Sequence, residues 1–122
     1  TTEMNAEIAV TLMEELGLQI DRGKDGIRYV SAIEQKPAGT YDLILMDIQM
    51  PNMGGYKATQ IIRGFSDKEK ANIPIVAMTA NAFEEDTKRA LSVGMNAHIA
   101  KPIDMKKVEE VLLEILKDKG NL

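Results

Sequence analysis

The spacing of hydrophobic and polar positions predicts helices and short strands in alternation. Hydrophobic residues recur at helical spacing within Asn5–Leu16, Gly26–Gln35, Tyr56–Arg63 and Phe83–Val93. A last helix follows Asp104, which can cap its amino terminus. Short apolar or alternating runs predict strands at Leu18–Ile20, Tyr41–Met46, Ile73–Met78 and Ala97–Ala100.

The order of these elements predicts an α/β domain. It reads α-β-α-β-α-β-α-β-α, which is typical of a parallel sheet with helices on both faces and right-handed crossovers. The length of 122 residues suits one domain, residues 1–122, and a hydrophobic content of 44% suits a folded core.

Polar side chains stand where three of the predicted strands end. Asp47, Thr79 and Lys101 follow the second, third and fourth strands, whose carboxyl ends meet at one edge of a parallel sheet. A carboxylate can accept a phosphoryl group, while an ammonium and a hydroxyl can stabilise phosphoryl oxygens. Taken singly, the three also fit a turn cap, a helix cap and a solvated lysine. Their joint placement favours a phosphoryl site.

Composition narrows the class of protein. Fifteen Lys and Arg against 19 Asp and Glu give a net charge of −4, and aromatic residues make up 4%, so we expect no direct binding to nucleic acid. No apolar run approaches the roughly 20 residues that cross a bilayer, so we expect no membrane segment. The chain has no cysteine, which fits the cytoplasmic location that we expect.

Three segments resemble the receiver domains of two-component response regulators. They are Met46–Gly55 (MDIQMPNMGG), Met78–Ala82 (MTANA) and Gly94–Pro102 (GMNAHIAKP). The similarity runs from about Met4 to Leu116 and is strongest to receivers of hybrid sensor histidine kinases. The resemblance implies a flavodoxin-like (CheY-like) three-layer fold.

The resemblance also implies roles for individual residues. Asp47 would take a phosphoryl group from a histidine kinase or phosphotransfer domain, and Thr79 and Lys101 would contact the phosphoryl oxygens. Mg²⁺ would bind Asp47 and the backbone carbonyl of Gln49. Lys101 and Pro102 would share a cis peptide bond.

A phosphorylation switch follows from the same resemblance. Thr79 would move inward and His98 would rotate, although His98 fits equally well as a half-buried strand histidine. The surface that repacks and meets an output domain or protein would be formed by helix 4, strand 5 and helix 5 of the family's fold. In this chain these are the helix Phe83–Val93, the strand Ala97–Ala100 and the final helix.

The amino terminus departs from the family's pattern. Receivers open with a central strand that ends in an acidic pair, whereas this chain starts directly with the first helix, and Thr1 or Thr2 stands where the second acid is expected. Glu3 lies too late to replace it, so we expect weakened or absent Mg²⁺ binding. The sheet would then lack its central strand. The chain would be a truncated receiver, a homodimer that exchanges a strand between its copies, or a receiver whose remaining four strands form one sheet directly.

Two other functions stay open. A pseudo-receiver would regulate by docking without phosphorylation, because it lacks the acidic pair. A phosphatase of the haloacid-dehalogenase type would need an aspartate two residues after Asp47, where the chain has Gln49. Beyond self-phosphorylation and dephosphorylation we expect no independent enzyme activity, and the chain fits a segment of a hybrid histidine kinase.

Overall fold

The computed structural model of the chain describes residues 25–41, 43–48, 52–79, 84–100 and 104–118. The elements in these residues alternate as the hydrophobic pattern predicts. In chain order they are α1 (Gly26–Gln35), β1 (Ile44–Asp47), α2 (Gly55–Arg63), α3 (Lys68–Ala71), β2 (Ile75–Thr79), α4 (Glu84–Ser92), β3 (Ala97–Ala100) and α5 (Met105–Asp118).

The strands form a parallel sheet in the order β1-β2-β3. Ile44 of β1 pairs with Ile75 of β2, and Val76 of β2 pairs with Ala97 of β3. The ladder continues beyond both ends of β1, because Ile44 N donates to Pro74 O at 2.8 Å and Ile48 N to Met78 O at 3.1 Å. The predicted parallel α/β architecture is therefore confirmed.

Helices cover both faces of this sheet. On one face, Met46 and Ile75 pack with side chains of α1, α2 and α4, among them Ile33, Ile62 and Ala90. On the other face, buried side chains of β2 and β3 pack against Val108, Leu112 and Ile115 of α5. Met46 and Ile75 are fully buried, and burial of such a side chain is worth about 1.5–3 kcal/mol. These layers give the three-layer arrangement.

Two strand boundaries differ from the prediction. The strand predicted over Tyr41–Met46 begins at Ile44 and includes Asp47, and the strand predicted over Ile73–Met78 runs from Ile75 to Thr79. Pro74 explains the later start of β2, because proline has no backbone N–H to donate. Its carbonyl still accepts from Ile44.

The polar stretch after α2 contains a helix that the hydrophobic pattern did not predict. The four-residue α3 begins after Asp67, whose side chain accepts from Glu69 N at 3.0 Å and Lys70 N at 3.3 Å. Only Ala71 of this helix is buried, so too few residues face the core to produce a helical hydrophobic period.

Arg63, at the end of α2, donates hydrogen bonds near the amino-terminal ends of β2 and β3, at the opposite end of the sheet from Asp47. Its Nε donates to Gly94 O at 2.8 Å, and Nη1 donates to Ala71 O at 2.8 Å and Ile73 O at 2.7 Å. Nη2 donates to Asn96 Oδ1 at 2.9 Å. Partial burial lowers the pKa of Arg63. One guanidinium therefore links α2, α3 and the starts of β2 and β3.

Asn96 extends this network into the sheet. Its backbone N donates to Ile75 O at 2.7 Å, and its side-chain Oδ1 accepts from Ile75 N at 2.9 Å. The first residue of β2 is thereby held by both the backbone and the side chain of the residue that precedes β3.

Residues 1–24 lie outside the described residues, so the helix Asn5–Leu16, the strand Leu18–Ile20 and the missing first strand stay predictions. The same holds for the proposed strand exchange. Within the described ranges, every helix is too short or too polar to cross a bilayer.

We predict that Arg63→Lys lowers the free energy of unfolding by about 2–3 kcal/mol, because one ammonium cannot reach four separated acceptors and leaves carbonyls unsatisfied. Urea unfolding measures the effect. Arg28→Lys is the control, since Arg28 is exposed on α1 and should change stability by less than about 0.5 kcal/mol. Equal stability of the two variants would show that the Arg63 network contributes little.

Candidate functional site

The register of the sheet brings two of the predicted site residues, Asp47 and Thr79, to the same end of the sheet. Asp47 is the last residue of β1, and Thr79 is the last residue of β2. Asp47 pairs with Met78, and Thr79 pairs with Ala100, the last residue of β3. Because parallel strands lie about 4.8 Å apart and rise about 3.3 Å per residue, the Cα atoms of Asp47 and Thr79 are separated by roughly 6 Å.

Thr79 is the last residue of β2, and the next described residue is Glu84, the first of α4. Thr79 is also buried, with 7% of its surface exposed. Gln49, Lys101 and Pro102 lie outside the described residues, so their placement and the cis peptide bond stay predictions. Lys101 directly follows Ala100 in the chain.

We call residues 48–54, between Asp47 and α2, the β1–α2 loop. Its ends are joined, because Gly55 N donates to Ile48 O at 3.0 Å. A Cβ atom at Gly55 would lie 2.6 Å from Asp47 O, so only glycine allows this approach. The start of α2 therefore lies directly against the backbone of Asp47.

Helix α1 contacts the same loop at its amino terminus. Gly26 N donates to Met53 O at 2.9 Å, and Asn52 Nδ2 donates to Asp25 Oδ2 at 2.9 Å. Asp25 also caps α1 by accepting from Arg28 N at 3.0 Å. The hydrogen bond from Asn52, followed by that from Arg28 N, lowers the pKa of Asp25.

Farther along α1, Tyr29 contacts the strand that carries Asp47. Its hydroxyl donates to Leu45 O at 3.0 Å. Since Ile44 and Ile48 direct their N–H groups toward β2, the intervening peptide groups of Leu45 and Asp47 face the other edge of β1. Tyr29 therefore satisfies an acceptor on that edge.

His98 lies in β3, opposite Ala77 of β2 and next to α4. Its Nε2 is 3.4 Å from Thr87 Oγ1, and the ring is half-buried. This position agrees with the half-buried strand histidine that the sequence suggested. Whether His98 rotates stays a prediction.

The donor set at this edge fits a magnesium ion only in part. Asp47 supplies a carboxylate, which is a suitable oxygen ligand. The described residues contain no cluster of three or more His, Cys, Asp and Glu side chains that could hold a metal ion. The remaining predicted ligand, the Gln49 carbonyl, and Thr1, Thr2 and Glu3 lie outside those residues.

Comparison with known proteins identifies the family. The profile of the response regulator receiver domain matches residues 2–113, which is most of the chain. The chain belongs to the response regulator receiver family. The resemblance seen in the sequence is thereby confirmed.

Relatives of this receiver domain include histidine kinases that are much longer than the chain. The chain is 34% identical over 111 residues to the sensor protein GacS of Pseudomonas syringae, covering 90% of the chain and 12% of that protein. It is 36% identical over 123 residues to hybrid signal transduction histidine kinase B of Dictyostelium discoideum, covering 93% of the chain and 6% of that protein. The receiver domain thus spans only a small fraction of these relatives.

Solved structures agree on the fold. The receiver domain of a sensor histidine kinase from Pseudomonas aeruginosa, solved with a magnesium ion coordinated in its active-site cleft, superposes with a TM-score of 0.82 at 32% identity and covers 94% of this chain and 90% of that one. The chemotaxis protein CheY4 of Vibrio cholerae gives 0.79 at 20% identity, with 95% and 92% covered. The predicted CheY-like fold is confirmed.

Sequence reasoning missed the contribution of α1 to this site. Asp25 was recognisable, since an aspartate before an amphipathic run predicts a helix cap. Its contact with Asn52 spans 27 positions and has no signature in a single sequence. The contact of Tyr29 with Leu45 is equally invisible in the hydrophobic pattern.

We predict that Gly55→Ala lowers the free energy of unfolding by about 1–3 kcal/mol, because the added methyl group forces the backbone of Asp47 and Ile48 to move. Thermal unfolding measures it. Gly64→Ala is the matched control, since a Cβ there would meet Ile61 O at an ordinary 3.5 Å. Equal melting temperatures for both variants would contradict the close approach.

Proposed function

We propose that this receiver domain accepts a phosphoryl group on Asp47 within a two-component phosphorelay. The observation that carries the proposal is the strand register, in which Asp47 and Thr79 end neighbouring strands at the edge where β3 leads into Lys101. The donor would be a phosphohistidine of a histidine kinase or phosphotransfer domain, in keeping with the kinase relatives.

In the proposed transfer, a carboxylate oxygen of Asp47 forms a bond to phosphorus. The bond between phosphorus and the donor's imidazole nitrogen breaks, and its electron pair stays with the imidazole. Thr79 would donate a hydrogen bond and Lys101 a positive charge to the phosphoryl oxygens, where negative charge accumulates. Mg²⁺, held by Asp47 and the Gln49 carbonyl, would supply further neutralisation of that charge when bound.

Phosphorylation would act as a switch on one face of the domain. The added charge of about −1.5 to −2 would draw Thr79 inward, and His98 would rotate in response. The proposed partner face is formed by α4, β3 and α5. Its two helices each leave a leucine more than half exposed, Leu91 and Leu113, both at 56%, which suits a surface that meets an output partner.

We predict that acetyl phosphate with Mg²⁺ adds one phosphoryl group to the chain, detected by intact-protein mass spectrometry and mapped to Asp47. Asp47→Asn should abolish the gain, because the amide is not a phosphoryl acceptor. Beryllofluoride should bind the unmodified chain but not the variant. Absence of any gain at millimolar Mg²⁺ would favour the pseudo-receiver, which docks to its partner without phosphorylation.

We predict that Thr79→Ala slows phosphorylation by about ten- to a hundredfold, because a donor to the developing charge is lost. The rate of mass gain at saturating Mg²⁺ measures it. Thr59→Ala is the control: Thr59 is also buried, but its hydroxyl donates to Gly55 O within α2 at 2.8 Å. Similar rates for Thr79→Ala and wild type would remove Thr79 from the transfer.

A further inference from the structure

Helix α1 touches the chain on both sides of Asp47. Tyr29 donates to Leu45 O, two residues before it, and the start of α1 contacts Asn52 and Met53 of the β1–α2 loop, five and six residues after it. The same loop is closed at its base by the hydrogen bond between Gly55 and Ile48. Away from that base, the described hydrogen bonds from α1 reach Asn52 and Met53, and Met53 also packs against the hydrophobic core.

The side-chain contact at this point depends on an unusual backbone. Asn52 has φ +65°, in the left-handed region that asparagine and aspartate tolerate better than other non-glycine residues. In that conformation its amide reaches Asp25 Oδ2 at 2.9 Å. The hydrogen bond to Asp25 therefore stabilises the left-handed conformation of Asn52, which would otherwise be only sparsely populated.

Asp25 uses its two oxygens for different tasks. Oδ1 accepts from Arg28 N and starts α1, while Oδ2 accepts from Asn52 and holds the loop. A serine or threonine would serve the first task, but its single hydroxyl oxygen cannot match this two-sided arrangement. The hydrogen bonds that lower the pKa of Asp25 also favour its charged form, which is the better acceptor.

We propose that Asp25 is a positioning residue for phosphoryl transfer. Together with Asn52 it forms a clamp that holds the β1–α2 loop in the arrangement that transfer to Asp47 needs. This inference rests on the proposed function, because the loop matters for transfer only if Asp47 accepts phosphate. The clamp acts through the loop, which carries Gln49, and makes no contact with the phosphoryl group.

The competing explanation is that the hydrogen bond between Asn52 and Asp25 only stabilises the fold. Exchanging the two side chains tests whether the bond also positions the loop for transfer. Asp25→Asn keeps an N-cap oxygen but removes the charged acceptor, so the charge-assisted hydrogen bond from Asn52 is lost. Asn52→Asp keeps a residue that tolerates the backbone but sets two carboxylates against each other. The double variant D25N/N52D restores one donor and one acceptor in reversed order.

The test measures the rate of phosphorylation by acetyl phosphate with Mg²⁺, at a temperature where thermal unfolding shows every variant to be fully folded. Both single variants should react about 3- to 10-fold more slowly than wild type, the range expected for one lost hydrogen bond. The double variant should return to within about twofold of wild type. Asp67→Asn is the matched control, because Asp67 caps α3 without contacting the loop, and its rate should stay unchanged.

Asn52→Gly supplies an independent check if the exchanged pair fails to fold. Glycine keeps the positive φ without strain and removes only the amide, so its rate should fall like that of the single variants. A wild-type rate in Asn52→Gly, or in both single variants, overturns the clamp. Absence of phosphate on the wild-type chain refutes the proposed function itself and the clamp with it, so the two failures are distinguishable.

Discussion

The parallel register of the three strands is the constraint on which the rest of this structure depends. Asp47, Thr79 and Ala100 lie at the same end of the sheet because the three strands are parallel and end at matched positions. Lys101 directly follows Ala100 in the chain. A shift of one residue would move each side chain to the opposite face. Packing prevents such a shift, since Met46, Ile75 and Val76 are fully buried against helices on the two faces.

Around Asp47 the chain is held by contacts that differ in kind. A backbone hydrogen bond holds Ile48 against β2, and the absence of a side chain at Gly55 lets α2 approach. Helix α1 contributes the Tyr29 hydroxyl, the Gly26 backbone N–H and the carboxylate of its N-cap, Asp25. These contacts come from three different elements. The described ends of the loop that follows Asp47 are thus held by β2, α2 and α1.

Much of the fold was predictable because its signals are local. The final helix follows the predicted Asp104 cap, whose side chain accepts from Lys106 N at 2.9 Å, and β3 has the predicted bounds. The order of the strands also predicted that Asp47 and Thr79 lie at the same end of the sheet, as they do. What escaped were contacts between distant segments, such as Arg63 with Gly94 and Asp25 with Asn52. A single sequence contains both residues of each pair but gives no signal that they are in contact.

The acceptors of Arg63 have a consequence for how the domain responds to charge. The four that the structure describes are carbonyl and amide oxygens, which are neutral. Neither acid nor added salt neutralises a dipole as it does a carboxylate. The amino-terminal ends of β2 and β3 are therefore joined by hydrogen bonds that changes of pH or salt concentration should weaken little. New negative charge at the carboxyl ends of the strands, such as a phosphoryl group on Asp47, would leave these contacts to neutral oxygens in place.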